Sequence, residues 1–324
     1  MPALSSVITL PEAASTAVGA EVLRGLAANP KCLSPWLFYD EAGSRLFEAI
    51  TRLPEYYLTR TERALFARYA DEILEHAGTR PLTIVELGAG TAEKTGLLLK
   101  AAVRRQGTVD YVPIDVSETA LVAATEHLES EIPGVRVQAR VADYTRGIAD
   151  IPSAGRRMVL YIGSSIGNFE PADAVNVLRE VHKKLAPGDL LLLGVDHAKD
   201  ESTLLPAYND ATGVTAAFNK NILTRINREL GANFNPGLFR HLARWNPDQS
   251  RIEIYLESRI AQRVTVPALD LEVAFARGET IHTENSYKFT PESIGAIIER
   301  AGFTVTRRWT DDREWFGVYL ATSH

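Results

Sequence analysis

The stretch IVELGAGTAEKT, residues 84–95, joins an apolar run to a loop that contains two glycines. Gly88 and Gly90 supply two glycines of the G-x-G-x-x-G pattern, but Glu93 stands where the third would be. Glycine lets a backbone approach a ligand closely, because no Cβ atom intrudes. A pyrophosphate favours the third glycine and a helix N-terminus. The loop is therefore typical of a nucleotide-like ligand without phosphate, although a simple tight turn between a strand and a helix remains an alternative.

The residues around this loop alternate between strand-like and helix-like patterns. Such alternation predicts βαβ units, and hence a parallel sheet with helices on both faces. The predicted strands cover residues 82–87, 110–115, 135–141, 157–163 and 189–195. The stretch FTVTRRWTDDREWFGVYLATSH at the C-terminus then breaks the alternation with two β-rich runs around a polar turn, which predicts a hairpin. This layout resembles the class I S-adenosylmethionine-dependent methyltransferase fold, an α/β Rossmann-like sheet that ends in an antiparallel hairpin.

Two regions do not fit a plain doubly wound sheet. Residues 199–287 combine a helical stretch with alternating β-rich runs, and the first 60 residues are also additional to the sheet. Insertions near the carboxyl ends of strands usually form the substrate pocket. We therefore predict a cofactor-binding domain over residues 61–198 and 288–324, and a substrate-binding domain over residues 8–60 and 199–287.

Composition restricts the classes of partner. A net charge of −6 over 324 residues, without a long basic tract, argues against nucleic acid. The chain has one cysteine, Cys32, and scattered histidines, so no metal site is predicted. The N-terminus lacks the pattern of a signal peptide, and no apolar run is long enough for a membrane span. We expect a cytoplasmic monomer that acts on a small molecule and binds no membrane.

Acidic residues follow the next two predicted strands. Asp115 ends the second strand, where a carboxylate can accept hydrogen bonds from ribose hydroxyls. Asp143 and Tyr144 follow the third strand, where a carboxylate and an aromatic plane suit an adenine. This order favours an S-adenosylmethionine site, while NAD or a vestigial nucleotide fold remains open. Asp115 could instead cap the helix that begins near Ser117, since Asp is a common cap.

Four stretches carry a more specific resemblance. They are FYDEAGSRLFEAITRLPEYYLTRTE, GSSIGNF, AYNDATGVTAAFNKN and HTENSYKF. Together, from about residue 20 to the end of the chain, they resemble the histidine Nα-methyltransferases of ergothioneine biosynthesis. That family uses S-adenosylmethionine to trimethylate the α-amino nitrogen of L-histidine, giving hercynine.

The resemblance implies a role for each matching position. The cofactor-binding residues would be Gly88, Lys94, Asp115, Asp143 and Tyr144. The substrate-binding residues would be Tyr56, Gly163, Asn168, Tyr208, Glu284, Asn285 and Ser286. Within this set Gly163, Asn168 and Tyr208 would hold the amino and carboxylate groups, while Tyr56, Glu284 and Ser286 would surround the imidazole. Tyr39 would lie near the amine, so Tyr39 and Asn168 are the predicted catalytic residues.

The residue chemistry agrees with an imidazole substrate. An imidazole offers one donor and one acceptor nitrogen, while a carboxylate accepts and a hydroxyl can do either. Glu284 and Ser286 therefore disfavour an indole or a phenyl ring, which would leave buried polar groups unpaired. Ile254 is a possible departure at an apolar pocket position. The alternatives are methylation of another amino acid, such as a tryptophan derivative, and a non-catalytic relative that only binds ligands.

Overall fold

The structure, a computed structural model, describes residues 12–142 and 155–324. Within these residues the α-helices are α1 (Ala17–Ala27), α2 (Glu41–Thr51), α3 (Tyr57–His76), α4 (Thr95–Gln106), α5 (Glu118–Glu131), α6 (Pro171–Lys183), α7 (Glu201–Tyr208), α8 (Val214–Leu230) and α9 (Pro291–Arg300). The strands are β1 (Lys31–Cys32), β2 (Leu82–Leu87), β3 (Val109–Asp115), β4 (Val135–Val137), β5 (Arg140–Val141), β6 (Arg156–Tyr161), β7 (Leu190–Asp196), β8 (Phe239–Asn246), β9 (Arg251–Ser258), β10 (Gln262–Val266), β11 (Leu271–Phe275), β12 (Thr280–Tyr287), β13 (Phe303–Thr310) and β14 (Phe316–Ser323). Short 3-10 helices cover Glu12–Ser15, Pro35–Phe38, Ser165–Asn168, Pro236–Leu238 and Pro267–Leu269.

These elements divide into two compact units. The main-sheet unit contains residues 56–142, 155–203, 247–251 and 286–324. The four-strand unit contains residues 12–55, 204–246 and 252–285. Strand β12 belongs to the four-strand unit up to Asn285 and to the main-sheet unit from Ser286 onward.

The main-sheet unit is built on one mixed sheet in the order β13-β14-β7-β6-β2-β3-β4, with β5 also paired to β3. The pairs from β7 to β5 are parallel, whereas β14 is antiparallel to both β7 and β13. Asp311 fixes the turn between β13 and β14, because its carboxylate accepts from the backbone N–H groups of Arg313 and Phe316. The parallel sheet with a terminal antiparallel hairpin confirms the predicted class I methyltransferase fold.

Helices pack against both faces of this sheet. On one face, side chains of β2, β3, β6 and β7 share a buried apolar core with α6 and α9, including Val85, Leu178 and Ile298. On the other face, Thr95 of α4 donates a hydrogen bond to Glu86 of β2 at 2.7 Å. Alternate residues of a strand point to opposite faces, so continuous apolar runs such as β7 are buried on both sides.

The four-strand unit contains a separate sheet in the order β1-β12-β9-β8, and a hairpin formed by β10 and β11. The residues of β9 alternate between buried and half-buried along its whole length, which is typical of a sheet with one covered face. Helix α8 covers that face: Asn219 donates hydrogen bonds to the His241 ring of β8 and to the backbone carbonyl of Tyr255 in β9.

Two predicted strands differ from the structure. Residues 135–141 form two short strands instead of one, and Pro113 on β3, which has no N–H to donate, stands beside the interruption. The strand predicted for 157–163 ends at Tyr161, because Gly163 and Ser164 adopt φ values of 80° and 61° and start a 3-10 helix. The remaining predicted strands agree with the structure to within one residue at each end.

Candidate active site

The glycine loop lies against the carboxyl end of β3. The N–H of Gly88 donates to the carbonyl of Ile114 at 2.8 Å, and the N–H of Gly90 donates to Asp115 Oδ2 at 3.0 Å. Both glycines have positive φ, at 70° and 52°, which side chains disfavour. Among the residues that the structure describes, a Cβ atom on Gly90 would meet no atom within 4 Å, so they leave open space beside the loop. The structure thus brings Gly88, Gly90 and Asp115 together.

Asp115 does not itself cap α5, because Ser117 is the capping residue, but Asp115 holds the residue that caps the helix. Its Oδ1 accepts from the N–H of Ser117, the residue that caps α5, at 2.9 Å. An ionised carboxylate offers about four lone-pair sites, and these two backbone donors use two of them. Asp115 can therefore organise the loop and still accept hydrogen bonds from the hydroxyls of a ribose.

Glu86 lies fully buried behind the glycine loop. Its carboxyl group accepts hydrogen bonds from the hydroxyls of Thr95 and Tyr111. Burial raises the pKa of Glu86 to about 7, against the opposing effect of these two donors. The group is anchored to helix α4 and to strand β3, so it fixes the position of the loop between them.

A buried carboxylate, Glu62 of α3, connects two residues with predicted roles. It accepts hydrogen bonds from the N–H of Gly163 at 2.9 and 3.0 Å and forms an ion pair with Lys94. Glu62 is fully buried, whereas the Lys94 side chain is 21% exposed. Gly194 leaves room for this carboxylate, since a Cβ atom there would lie 2.0 Å from Glu62 Oε1. The Lys94 side chain is therefore paired and is not the solvated lysine that a helix surface suggests.

The segment GSSIGNF, residues 163–169, is held against the end of β7. Ser164 donates its N–H to the carbonyl of Gly194, and its hydroxyl oxygen accepts from the N–H of Asp196 at 2.9 Å. Gly167 packs closely on the backbone of Tyr287, where a Cβ atom would lie 2.9 Å from the carbonyl oxygen. Asn168 ends the 3-10 helix and is half-buried. Its carboxamide is thus carried by a closely packed turn.

Beyond β7, two lysines converge on one buried carboxylate. Asp196 pairs with Lys199 at 2.5 Å and with Lys288 at 2.8 Å, and it accepts a hydrogen bond from the Tyr57 hydroxyl. Burial would raise the pKa of Asp196, but the two lysines outweigh it and lower that pKa. Lys288 also donates to the hydroxyl of Ser286 at 2.9 Å. One predicted substrate residue thus contacts a buried charged cluster.

The remaining predicted residue of the main-sheet unit is Tyr56, which precedes α3. Its side chain is buried, and its carbonyl accepts a hydrogen bond from Arg60 at 3.2 Å. Tyr57, the next residue in the chain, donates its hydroxyl to Asp196.

Two predicted tyrosines belong to the four-strand unit. Tyr39 lies at the end of the 3-10 helix Pro35–Phe38, and its ring contacts Phe47 and Phe218 edge-on at centroid distances of 5.8 and 5.7 Å. Tyr208 is the last residue of α7, and its carbonyl is hydrogen-bonded to His241 Nε2 at 2.9 Å. Burial lowers the pKa of His241. Since its Nδ1 accepts from Asn219, the neutral ring carries its proton on Nε2 and donates to Tyr208.

Strand β12 carries the predicted imidazole contacts. Glu284 is half-buried, while Asn285 and Ser286 are buried. Glu284 and Ser286 lie two residues apart in β12. Asn285, between them, contacts His282 Nε2 through its side-chain oxygen at 2.9 Å, a contact over three residues that departs from strict alternation of side chains along a strand. Ile254 is buried in β9, and its carbonyl accepts from the Thr283 hydroxyl.

Some predictions fall outside these observations. Asp143 and Tyr144 lie outside the described residues. Among the residues that are described, no group of three or more His, Cys, Asp or Glu side chains could hold a metal ion. In the same part of the chain, no helix has the length and apolar character needed to cross a bilayer.

The fold and the glycine loop define the class of protein. The class I S-adenosylmethionine-dependent methyltransferases combine three features that are present here. These are a parallel sheet with a terminal antiparallel hairpin, a glycine loop that lacks the third glycine of the pyrophosphate-binding pattern, and an acid at the end of β3. The loop also fits this cofactor, because its open space and the Asp115 carboxylate suit a nucleoside rather than a pyrophosphate.

Comparison with known proteins defines the family. Residues 18–323 match the family described as histidine-specific methyltransferase, SAM-dependent. The histidine N-alpha-methyltransferase of Mycolicibacterium smegmatis is 46% identical over 310 residues, covering 96% of each chain. Its namesake from Mycobacterium tuberculosis is 44% identical with the same coverage. Ergothioneine biosynthesis protein 1 of Schizosaccharomyces pombe is 29% identical over 88% of this chain and 38% of its own length. The chain belongs to the family of histidine-specific, S-adenosylmethionine-dependent methyltransferases.

Sequence reasoning missed the buried charges that support these residues. Glu62 and Lys288 are polar residues in polar stretches, TRTERA and NSYKF, and both are typical of a solvated surface. No sequence motif marks His241. The one available signal was proximity in sequence, since Lys288 follows Ser286 by two residues.

Proposed function

We propose that this protein transfers three methyl groups in succession from S-adenosylmethionine to the α-amino nitrogen of L-histidine, and that the product is hercynine. Membership of the histidine-specific family carries the proposal, together with an acid and a hydroxyl two residues apart in β12, which match the donor and acceptor of an imidazole. The product suggests a step of ergothioneine biosynthesis.

The cofactor-binding roles are proposed for Gly88, Lys94, Asp115, Asp143 and Tyr144. The best support comes from the contacts of Asp115. Its carboxylate holds the glycine loop through two backbone N–H groups and can still accept hydrogen bonds from ribose hydroxyls. When bound, S-adenosylmethionine supplies an electrophilic methyl carbon on a sulfonium. The protein has little covalent chemistry to perform and acts mainly by positioning the amine.

The substrate-binding roles are proposed residue by residue. Gly163, Asn168 and Tyr208 hold the amino and carboxylate groups, and Tyr56, Glu284 and Ser286 bind the imidazole. Asn285 lies between the last two and shapes the end of β12. The carboxamide of Asn168 can accept from the amine N–H while its NH₂ group donates to the carboxylate. The Tyr39 hydroxyl orients the amine lone pair toward the methyl donor.

The proposed setting of the reaction is the cytoplasm, where the amino acid and the cofactor are both available, and the proposed form is a monomer. Light scattering on the purified protein tests the second statement. A mass consistent with two or more copies would replace it.

Mass spectrometry of histidine incubated with the protein and cofactor tests the proposed reaction. We expect a product with three additional methyl groups, and intermediates with one and two at early times. Tryptophan and dimethylallyltryptophan serve as competing substrates in parallel reactions. Methylation of either of these in preference to histidine would favour the alternative substrate class, and no methylation of any of them would favour a binding function.

A further inference from the structure

Ser286 is tied to a buried cation as well as to the proposed substrate ring. Lys288 Nζ donates to Ser286 Oγ at 2.9 Å, and the Lys288 side chain is fully buried. The backbone of Lys288 is fixed too: its N–H donates to the Ser250 carbonyl at 2.7 Å, and its carbonyl accepts from the Ser250 hydroxyl at 2.9 Å. The lysine therefore has a defined position relative to the hydroxyl.

The cluster around Lys288 has an excess of positive charge. Lys288 and Lys199 both pair with Asp196, and the Tyr57 hydroxyl accepts from Lys199 at 2.8 Å while it contacts Asp196. Burial lowers the pKa of Lys199 to about 8, so Lys199 is cationic at and below neutral pH. The two lysine side chains thus face one carboxylate.

Other titratable groups surround this cluster. Burial lowers the pKa of His197, whose ring bonds to the Glu314 carbonyl and the Tyr319 hydroxyl. The Tyr287 hydroxyl bonds to Glu170 and Arg251. Glu284, two residues before Ser286 in β12, contributes a carboxylate. Glu284 is therefore the acidic group of β12 closest in sequence to the Ser286 hydroxyl.

An ammonium group has donors only, so the Ser286 oxygen must accept where the two meet. Donation from a cation polarises the hydroxyl and makes its own O–H a stronger donor and its oxygen a weaker acceptor. A positive charge this close also disfavours a second cation at the same hydroxyl. Both effects favour an acceptor nitrogen opposite Ser286 over an N–H⁺.

We propose that Lys288 is a positioning residue that orients the Ser286 hydroxyl as a donor, so that the protein selects the neutral imidazole of histidine and rejects the imidazolium. This inference rests on the proposed function. Glu284 then accepts from the one N–H of the neutral ring, and Ser286 donates to its other nitrogen. The pair also fixes which tautomer is bound.

The test compares histidine with 1,2,4-triazole-3-alanine, whose ring stays neutral throughout the acidic range and keeps a donor and an acceptor nitrogen. The measured quantity is the ratio of kcat/KM for histidine to kcat/KM for the triazole, since ionisation of the α-amino group affects both substrates alike. In the wild type this ratio should fall about tenfold per pH unit below the ring pKa of about 6.5. In Lys288→Met the fall should be reduced to less than about threefold per unit.

Lys199→Met is the matched control, because it removes the other lysine from Asp196 without touching Ser286. It should keep the wild-type dependence on pH. Ser286→Ala should by itself reduce the dependence of the kcat/KM ratio on pH. Adding Lys288→Met to Ser286→Ala should change that dependence little further. If Lys288→Met does not fold, Lys288→Gln and Ser286→Ala carry the test, because both remove part of the same interaction.

Two results would overturn the inference. The first is a kcat/KM ratio that falls with decreasing pH as steeply in Lys288→Met or Ser286→Ala as in the wild type. The second is an equally reduced fall in Lys199→Met, which would indicate a general effect of the charged cluster. Failure of the proposed function is distinct from both. It would appear as absence of histidine methylation by the wild type, before any variant is compared.

Discussion

The carboxylate of Glu62 accepts hydrogen bonds from the N–H of Gly163 while it forms an ion pair with Lys94. One buried acid on α3 thus holds a residue proposed for the cofactor and a residue proposed for the substrate. We therefore predict that the two proposed binding roles are coupled through a side chain that need not contact either ligand.

Glu62→Gln should weaken both ligands together. The variant keeps an acceptor for Gly163 but leaves Lys94 without its anionic partner, and a hydrogen bond to a charged group contributes roughly 1.5–3 kcal/mol. We expect the Kd for S-adenosylhomocysteine and the KM for histidine each to rise by about tenfold or more. Calorimetry and steady-state kinetics measure the two values. Glu75→Gln, at an exposed position of the same helix, is the control; a folded Glu62→Gln with both constants unchanged would refute the coupling.

Asp115→Ala should weaken cofactor binding by roughly 1.5–3 kcal/mol, or about tenfold to a hundredfold in Kd. The substitution removes a ribose acceptor and also releases the N–H groups of Gly90 and Ser117. Calorimetry with S-adenosylhomocysteine reports the change. Asp110→Ala, on the same strand but paired to the exposed Arg136, should bind normally. Unchanged affinity in folded Asp115→Ala would remove this residue from the site.

Glu284→Ala should raise the KM for histidine by about tenfold to a hundredfold, because a charge-assisted contact to the ring is lost. Cofactor affinity should change much less. Steady-state kinetics at saturating cofactor separates the two effects, and Glu272→Ala, at an exposed position of the same unit, controls for loss of a surface charge. Normal use of histidine by Glu284→Ala would place the imidazole elsewhere and strengthen the tryptophan-type alternative.

Tyr39→Phe should slow the first methyl transfer more than the last. The hydroxyl is proposed to orient the amine through its N–H, and neutral dimethylhistidine has no N–H left. Asn168→Ala should slow all three transfers, because it also loosens the carboxylate anchor. Single-turnover rates with histidine, monomethylhistidine and dimethylhistidine distinguish the cases. Equal slowing of all three substrates by Tyr39→Phe would exclude a step-specific role for its hydroxyl.

Glu86→Gln should change how stability depends on pH. Burial raises the folded-state pKa of Glu86 from 4.5 to about 7, so the folded protein holds this proton where the unfolded chain releases it. The contribution of the carboxyl group is therefore full below about pH 4.5 and is lost as the pH rises to about 7. Relative to Glu86→Gln, the wild type should lose about 3 kcal/mol of unfolding free energy over that range.

Urea unfolding of the unliganded protein at about pH 5 and about pH 8 measures this difference. Glu93→Gln changes an exposed acid of the same loop. Its free energy of unfolding should change between the two pH values by the same amount as that of the wild type. A constant difference between wild type and Glu86→Gln across the range would mean that Glu86 is already ionised in the folded protein near pH 5.

Local features of the sequence determined the main-sheet fold. Short apolar, β-rich runs, amphipathic helices between them and a polar turn near Asp311 are properties of short windows, and each indicates which backbone conformation those residues prefer. The order of Gly88, Gly90 and Asp115 could be predicted for a related reason. The carboxyl ends of neighbouring parallel strands meet at one edge, so residues that end successive strands come together.

Other details depended on partners far along the chain. The break between β4 and β5 could not be read from residues 135–141, because Pro113 on the neighbouring strand lies beside it. The 3-10 helix that shortens β6 required two consecutive residues with positive φ, and only one of them is glycine. Tertiary packing selects such conformations against local preference.

The buried charges that support the candidate site also depend entirely on partners far along the chain. Glu62 contacts Gly163 across a sequence separation of 101 residues, and Lys288, just after the end of β12, pairs with Asp196 at the end of β7. From a short stretch of sequence, each of them is predicted to be a solvated charge. Burial of a charged group is favourable only when its partners are in place, and these partners are distant in sequence. The sequence by itself therefore determined the sheet and the family, and it predicted the positions that would face the ligands. Only the tertiary structure decided which buried charges hold those positions, since that depends on the free energy of desolvation and pairing rather than on local conformation.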